Sequence, residues 1–420
     1  MSRRWTVVAF IFAGILVSYI DRGNLGIAAP AIMRDYSFEP ARMGVLLSAF
    51  FWTYALFQIP AGALVDRYGI RLTYAAAFLL WSLASASIGL SRGLMDILVL
   101  RLVLGLAEAV GPIASLSFIR RNFQGAEIGL PTAIYIAGQN LGPAAGTLLG
   151  TILIQHYGWR AMFILTGLVA LIWLPGWLAL APRGEARNGS AGEAVPVSGL
   201  PWREVLAMPA AWAMSACVFF SSYYWYFLLT WVPTYLTASR GFTLVEMGRI
   251  LSGPLFVMAV MNIVGGYVAD RLAKRVGSAF RVRVWFCAGG YIGSGAILLL
   301  LLLPGREAVL PVLLVSVVAT GIGNANYWAL SQQTAPSHLV GRAIGLLNTI
   351  SQLAGVAAPL VTGWILGPEK QFGVALAIAG ICPLLASLSL LFAGAGGLER
   401  MKQALSRGLD EKEGPGLISA

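Results

Sequence analysis

Charge is what this sequence has least of. Asp, Glu, Lys and Arg make up 11% of its 420 residues, where soluble domains carry about 25%. So few charges cannot cover the water-facing surface of a chain this long. Lysine is nearly missing, present only as Lys274, Lys370, Lys402 and Lys412. Cysteine is limited to Cys217, Cys287 and Cys382, each inside an apolar run and none in C-x-x-C spacing. A disulfide scaffold and a zinc module are thereby excluded. The two histidines, His156 and His338, cannot build a histidine metal cluster, and no HExxH motif occurs. Nothing therefore points to an enzyme, and no metal or organic cofactor is expected. The net charge is +11, but basic residues scattered thinly among apolar runs mark membrane topology rather than a phosphate-binding face. Nucleic acid is not an expected partner; the lipid bilayer is.

What is abundant is apolar sequence, at 58% of residues. A bilayer-crossing helix needs about 20 mostly apolar residues. Twelve such stretches are present, near 5–29, 43–65, 72–91, 94–117, 128–155, 159–181, 209–236, 245–269, 282–304, 308–333, 342–366 and 372–396. The expected fold is an all-α membrane protein of twelve transmembrane helices. The first run is long and carries Asp21 and Arg22 toward its far end, unlike a cleaved signal peptide. With an inside N-terminus, nineteen of the 29 Lys and Arg fall in inside segments and eight in outside ones. The positive-inside rule then predicts both termini in the cytoplasm. The sequon at Asn188 falls in an inside loop and reads as chance.

Two loops repeat. Gly62-Ala-Leu-Val-Asp66-Arg67-Tyr-Gly69-Ile-Arg71 follows the second span, and Gly266-Tyr-Val-Ala-Asp270-Arg271-Leu-Ala-Lys274-Arg275 follows the eighth. Their spacing, about half the chain, predicts two pseudo-symmetric six-helix halves. The divisions are 1–181, a cytoplasmic linker 182–208, 209–396 and a cytoplasmic tail 397–420. The repeated loop resembles the signature of the major facilitator superfamily. That resemblance implies alternating access about a site near the midplane, in a carrier that works as a monomer. It also implies a cytoplasmic gate of salt bridges at Asp66, Arg67 and Arg71, with Arg120 or Arg121 nearby, and at Asp270 and Arg271.

Only four charged residues fall well inside spans: Asp21 and Arg22 in the first, Arg101 and Glu108 in the fourth. A charge at the bilayer centre costs about 2.5–3.5 kcal/mol or more. Each is therefore either a helix-gluing ion pair or part of the function. Asp21 and Arg22 project about 100° apart, so one can face the fourth helix and the other the central path. Arg101 and Glu108 lie two turns apart on one face. A carboxyl whose distance from an arginine changes can load and release a proton.

Tyr19-Ile-Asp21-Arg22-Gly-Asn24-Leu-Gly-Ile-Ala-Ala-Pro30, Arg101-x6-Glu108, Gly158-Trp159-Arg160 and Trp225-Tyr-Phe-Leu-Leu-Thr-Trp231-Val-Pro233-Thr-Tyr235 are similar to motifs of the anion:cation symporter family. This family holds bacterial importers of sugar acids, with sialin and the vesicular glutamate carriers as relatives. The resemblance implies proton-coupled import of a small organic anion across a bacterial inner membrane, the proton being the coupling ion. It places Asp21 and Glu108 on the proton-coupling carboxylates, Arg22 on the substrate-carboxylate ligand, and Arg101 on the partner of the fourth-helix acid. Neutral contacts for a polyol tail are sought among Tyr19, Tyr54 with Gln58, Tyr135 with Gln139, Tyr223, Tyr224, Asn326, Trp328, and Asn348 with Ser351 and Gln352. Each of these also suits core packing or a helix-bridging hydrogen bond. Other readings are an organophosphate exchanger, a proton–drug antiporter and a transport-dead sensor. They are disfavoured in turn by the absence of intramembrane arginine after Arg101, by a cation-repelling Arg22, and by the short tail.

Overall fold

The computed structural model describes residues 3–123, 125–182, 208–334, 340–367 and 371–410. Most of the linker with Asn188, together with His338, Lys370 and the end of the tail, lies outside the described residues. Among the described residues the chain is helical throughout, with no strand. The first six spans are Arg3–Tyr36, Pro40–Tyr68, Ile70–Ile88, Leu94–Glu108 continued by Val110–Asn122, and a pair within Gly129–Ala170 and Trp173–Leu180. The second six are Pro209–Thr230, Leu244–Val276, Ala279–Ser294 extended to Leu302, Val309–Thr334, Val340–Leu366 and Phe372–Asp410.

Ten helical stretches are long and apolar enough to cross a membrane. The 52-residue stretch Gly129–Leu180 holds two of the twelve spans. They part at Gly158, whose φ of 79° only glycine adopts without strain. The seventh span, Pro209–Thr230, is missing from the ten because Ser221 to Tyr226 dilute its hydropathy with hydroxyls and aromatic rings. It ends in a π-helical turn, Tyr235–Ser239.

Glycines set the closest helix approaches. The stripe Gly138, Gly142, Gly146 of the fifth span, spaced four residues apart, lies on the first, where a Cβ at Gly142 would sit 2.4 Å from that of Tyr19. Between the halves the tightest contacts cluster at the end of the bundle away from Arg3, here called the far end. A Cβ at Gly26 would stand 2.2 Å from the Leu229 carbonyl oxygen, and one at Gly44 2.6 Å from that of Pro359. The apolar core follows the same division. One cluster joins both halves at the far end through Leu25, Met43, Leu46, Tyr224, Trp231 and Leu251. A second cluster, around Ile70, Phe118 and Trp177 of the first half, takes in Tyr223, Tyr226, Ala354 and Ala358 of the second at mid-height, and a third, around Met214, Cys287 and Leu398, lies wholly in the second half. The halves thus meet from mid-height to the far end and part toward the termini.

This geometry makes a prediction. Gly26→Ala drives a methyl into backbone and is expected to cost about 1–3 kcal/mol, the range for overpacking. Gly23→Ala on the same helix meets open space and is expected to gain about 0.5–1 kcal/mol in helix propensity. Thermal unfolding of the two variants in detergent checks the contrast.

Candidate functional site

The four intramembrane charges gather inside the first half at mid-height. Arg22 reaches across to the fourth span, its Nε donating to Glu108 Oε2 at 2.9 Å. Ser18, one turn earlier on the first span, donates to the same oxygen at 2.6 Å. Asp21 turns the other way. Its Oδ1 accepts from Ser85 of the third span at 3.1 Å and from Asn24 at 3.2 Å, and Asn24 also donates to Thr166 of the sixth span. Of the adjacent pair it is Arg22, then, that spans both the fourth helix and the central path, while Asp21 is withdrawn behind it.

Arg101 is 2% exposed, yet its Nε and Nη1 have no hydrogen-bond partner. Its guanidinium carbon lies 5.1 Å from the centre of the Phe50 ring, the same distance as that of Arg22. One aromatic ring therefore serves both cations, an attraction of about 0.5–2 kcal/mol each. Arg22 is further enclosed by the rings of Tyr19 and Tyr54, at 4.5 and 4.4 Å. Unpartnered atoms also remain on the acids: Oδ2 of Asp21 and Oε1 of Glu108. A buried polar atom without a partner forfeits about 1–3 kcal/mol, so this cluster is poised rather than satisfied.

Partly buried polar side chains rim the site where the halves begin to part. Gln139 donates to Tyr19 Oη at 3.0 Å and to Tyr135 Oη at 2.9 Å. A chain of neutral groups crosses between the halves. Tyr226 donates to Gln352 Oε1 at 3.1 Å, Gln352 to Asn348 Oδ1 at 3.4 Å, and Asn348 to Gln58 Oε1 at 3.2 Å. Ser351 pairs with Ser222 of the seventh span at 2.7 Å.

The remaining candidates stand apart from this chain. Asn326 spends its donor on the carbonyls of Ile322 and Gly265, as a helix-bridging amide does. Trp328 packs edge-on against Tyr327 beside the second-half core. Tyr224 bonds Ser316 near the far end, while Tyr223 is buried in the core shared with the first half. Ser18, Ser85, Phe50 and Tyr226 contact the candidate site residues without standing out in the sequence. The usable signal for Ser18 was its place one turn before Arg22 on the same face.

At the terminal end each loop pairs within its own half. Asp66 lies 3.4 Å from Arg121, and Asp270 2.6 Å from Arg283 of the ninth span. Arg71 donates twice to the Leu178 carbonyl. Arg67 and Arg271 lie over the rings of Tyr68 and Tyr267.

Twelve helices in two halves, parted at one end over a buried charge cluster, define a polytopic membrane carrier. The chain belongs to the Major Facilitator Superfamily, whose family model matches residues 11–359. It is accordingly a transporter and not an enzyme. It is 30% identical to probable anion transporter 4, chloroplastic, of Oryza sativa subsp. japonica over 87% of this chain, and spans 64% of that protein's length. It is 28% identical to the hexuronate transporter of Bacillus subtilis (strain 168), over 92% of this chain and 93% of that one. Such relatives agree with the anion:cation symporter branch to which the motifs point. Among solved structures, a bacterial homolog of the human lysosomal transporter Spinster, in an inward-facing and unoccupied conformation, superposes with a TM-score of 0.74. The match is 18% identical and covers 97% of this chain and 98% of that one, a likeness of fold.

Proposed function

We propose that this protein imports a small organic anion of the sugar-acid type by proton symport, through alternating access. The observation that carries the reading is Arg22, a guanidinium at the apex of the parted halves whose carboxylate partner is a protonatable group. A guanidinium suits a carboxylate because it offers two parallel donors. While Glu108 is ionised, Arg22 is bound to it. Once Glu108 takes a proton, the attraction falls and Arg22 is released to take the substrate's carboxylate. Proton and anion then load together, which is the condition for symport. The neutral chain Gln58–Asn348–Gln352–Tyr226 offers donors and acceptors for a hydroxylated tail. Asp21, withdrawn behind Arg22, is the second proton site, with Arg101 balancing the two acids. The names of the anion and hexuronate relatives support the substrate class. The terminal end is taken as cytoplasmic, in a bacterial inner membrane, and the monomer as the working unit.

The experiment is uptake of hexuronate or galactonate into proteoliposomes. An inward-directed proton gradient is expected to accelerate uptake about tenfold over equal pH, the scale of one pH unit stored across the membrane. Uptake indifferent to the gradient would refute symport and leave anion exchange.

A further inference from the structure

We propose that a water-holding chamber lies behind Glu108, inside the first half, and gives this carboxyl a proton route separate from the substrate's path. The functional part rests on the proton-symport reading above; the chamber itself does not.

Spacing on the fourth span sets up the site. Glu108, Gly111 and Ser115 fall on one face, one turn apart in succession. Pro112 has no N–H, so the Glu108 carbonyl four residues earlier loses its helical donor. The regular hydrogen bonding is interrupted there at Ala109, which keeps helical dihedrals. On the side chain of Glu108, Oε1 likewise has no partner.

The opposing wall comes from the third span. Tyr74 and Trp81 are both fully buried, and neither the Tyr74 hydroxyl nor the Trp81 indole N–H has a hydrogen-bond partner. Ser115 Oγ, also buried, makes no bond of good geometry either, but lies close enough to the Tyr74 hydroxyl to act on it. Where a Cβ would stand on Gly111, the nearest atoms belong to Tyr74 and Trp81 at 3.6 and 3.8 Å and to Ile15. The Tyr74 hydroxyl reaches the first span at Gly14, one turn below Ser18, the donor to Glu108. Glu108 Oε1 and the Trp81 N–H without a partner, with the Tyr74 and Ser115 hydroxyls close to each other beside a residue with no side chain, meet the requirement of buried water for two to four polar partners.

The cation facing the carboxylate is Arg22 at Oε2, with Arg101 on the same helix and Asp21 close enough to act on it. All three lie above this column. The chamber therefore faces the other oxygen of Glu108. A proton can reach or leave Oε1 through water while Oε2 and Arg22 remain engaged with each other or the substrate. The hydroxyls of Ser115 and Tyr74 continue the line toward the terminal end. Below them the stacked rings of Trp173 and Trp177 close it.

Hydroxyl-radical footprinting by X-ray radiolysis tests the chamber on the intact transporter, because radicals form at ordered internal water. Tyr74 and Trp81 are expected to be labelled promptly, while Phe78, equally buried, stays unlabelled. Gly111→Ala, whose methyl fits at ordinary contact distance, is expected to suppress the labelling. It should also slow gradient-driven uptake about tenfold, corresponding to the loss of one bridging water, with counterflow at equal pH continuing. Tyr74→Phe should slow gradient-driven uptake in the same way without filling space. No labelling of Tyr74 or Trp81 in the wild-type protein overturns the chamber. Labelling with undiminished gradient-driven uptake in both variants overturns the proton route. A wild-type protein indifferent to the gradient but labelled refutes symport and leaves the chamber standing.

Discussion

Glu108→Gln is expected to abolish gradient-driven uptake while leaving counterflow within a few-fold of normal. The amide preserves the shape of the side chain, and its oxygen can still accept from Ser18 and Arg22, which now meet at Glu108 Oε2 within 2.6 and 2.9 Å. What the substitution removes is the ability to gain and lose a proton. The variant is fixed in the neutral form, the form in which Arg22 is free to bind an anion. It should therefore bind substrate at least as well as the wild type, and exchange bound for free substrate at equal pH. It should not return empty against a proton gradient. The loss in net uptake is expected to be on the order of 100-fold or more, equivalent to about 3 kcal/mol, the low end for breaking a buried ion pair. The stability cost should be smaller, because Arg22 keeps its stacking on Tyr19, Tyr54 and Phe50. Gradient-driven uptake and counterflow measured side by side decide the matter. Intact gradient-driven uptake in the variant would move the coupling role to Asp21.

Much of this site is legible in the sequence itself, for a physical reason. In a chain so poor in charge, a charge within an apolar run has no trivial explanation, so Asp21, Arg22, Arg101 and Glu108 stood out by cost alone. The spans are legible from hydropathy, and the break at Gly158 from the gap between the apolar runs 128–155 and 159–181. Rotation was not legible. The 100° between Asp21 and Arg22 showed that they face different ways, but only the packing of the first span on the third, fourth and sixth says which way each one faces. Hydroxyls such as Ser18 and Ser85 were lost among many ordinary serines in apolar helices. Asn326 and Asn348 are the same residue type in comparable spans. Yet one bonds its own helix and a neighbour, while the other reaches Gln58 in the opposite half. Sequence alone cannot separate them, because the difference lies in which face looks toward the parting of the halves.

Arg22→Ala is expected to reduce substrate affinity about 30-fold or more, from the 2–5 kcal/mol lost when one partner of a desolvated charge pair is removed. Arg22→Lys should not restore it. An ammonium cannot donate two parallel bonds to a carboxylate, nor stack its plane between the rings of Tyr19 and Tyr54. The same substitution leaves Glu108 buried without its cation, at 0% exposure, and a carboxylate so placed is neutralised by taking a proton. Arg22→Ala should thus lose stability as well as affinity, the stability loss being greater at alkaline pH, where keeping that proton costs more. Arg22→Ala combined with Glu108→Gln removes both charges and should recover much of the lost stability while leaving affinity low. Thermal unfolding and substrate titration of the two single variants and the double variant complete the cycle. Recovery of stability without recovery of binding marks Arg22 as the anion's ligand. Recovery of both would make the pair a structural tie between the first and fourth spans, with the anion bound elsewhere.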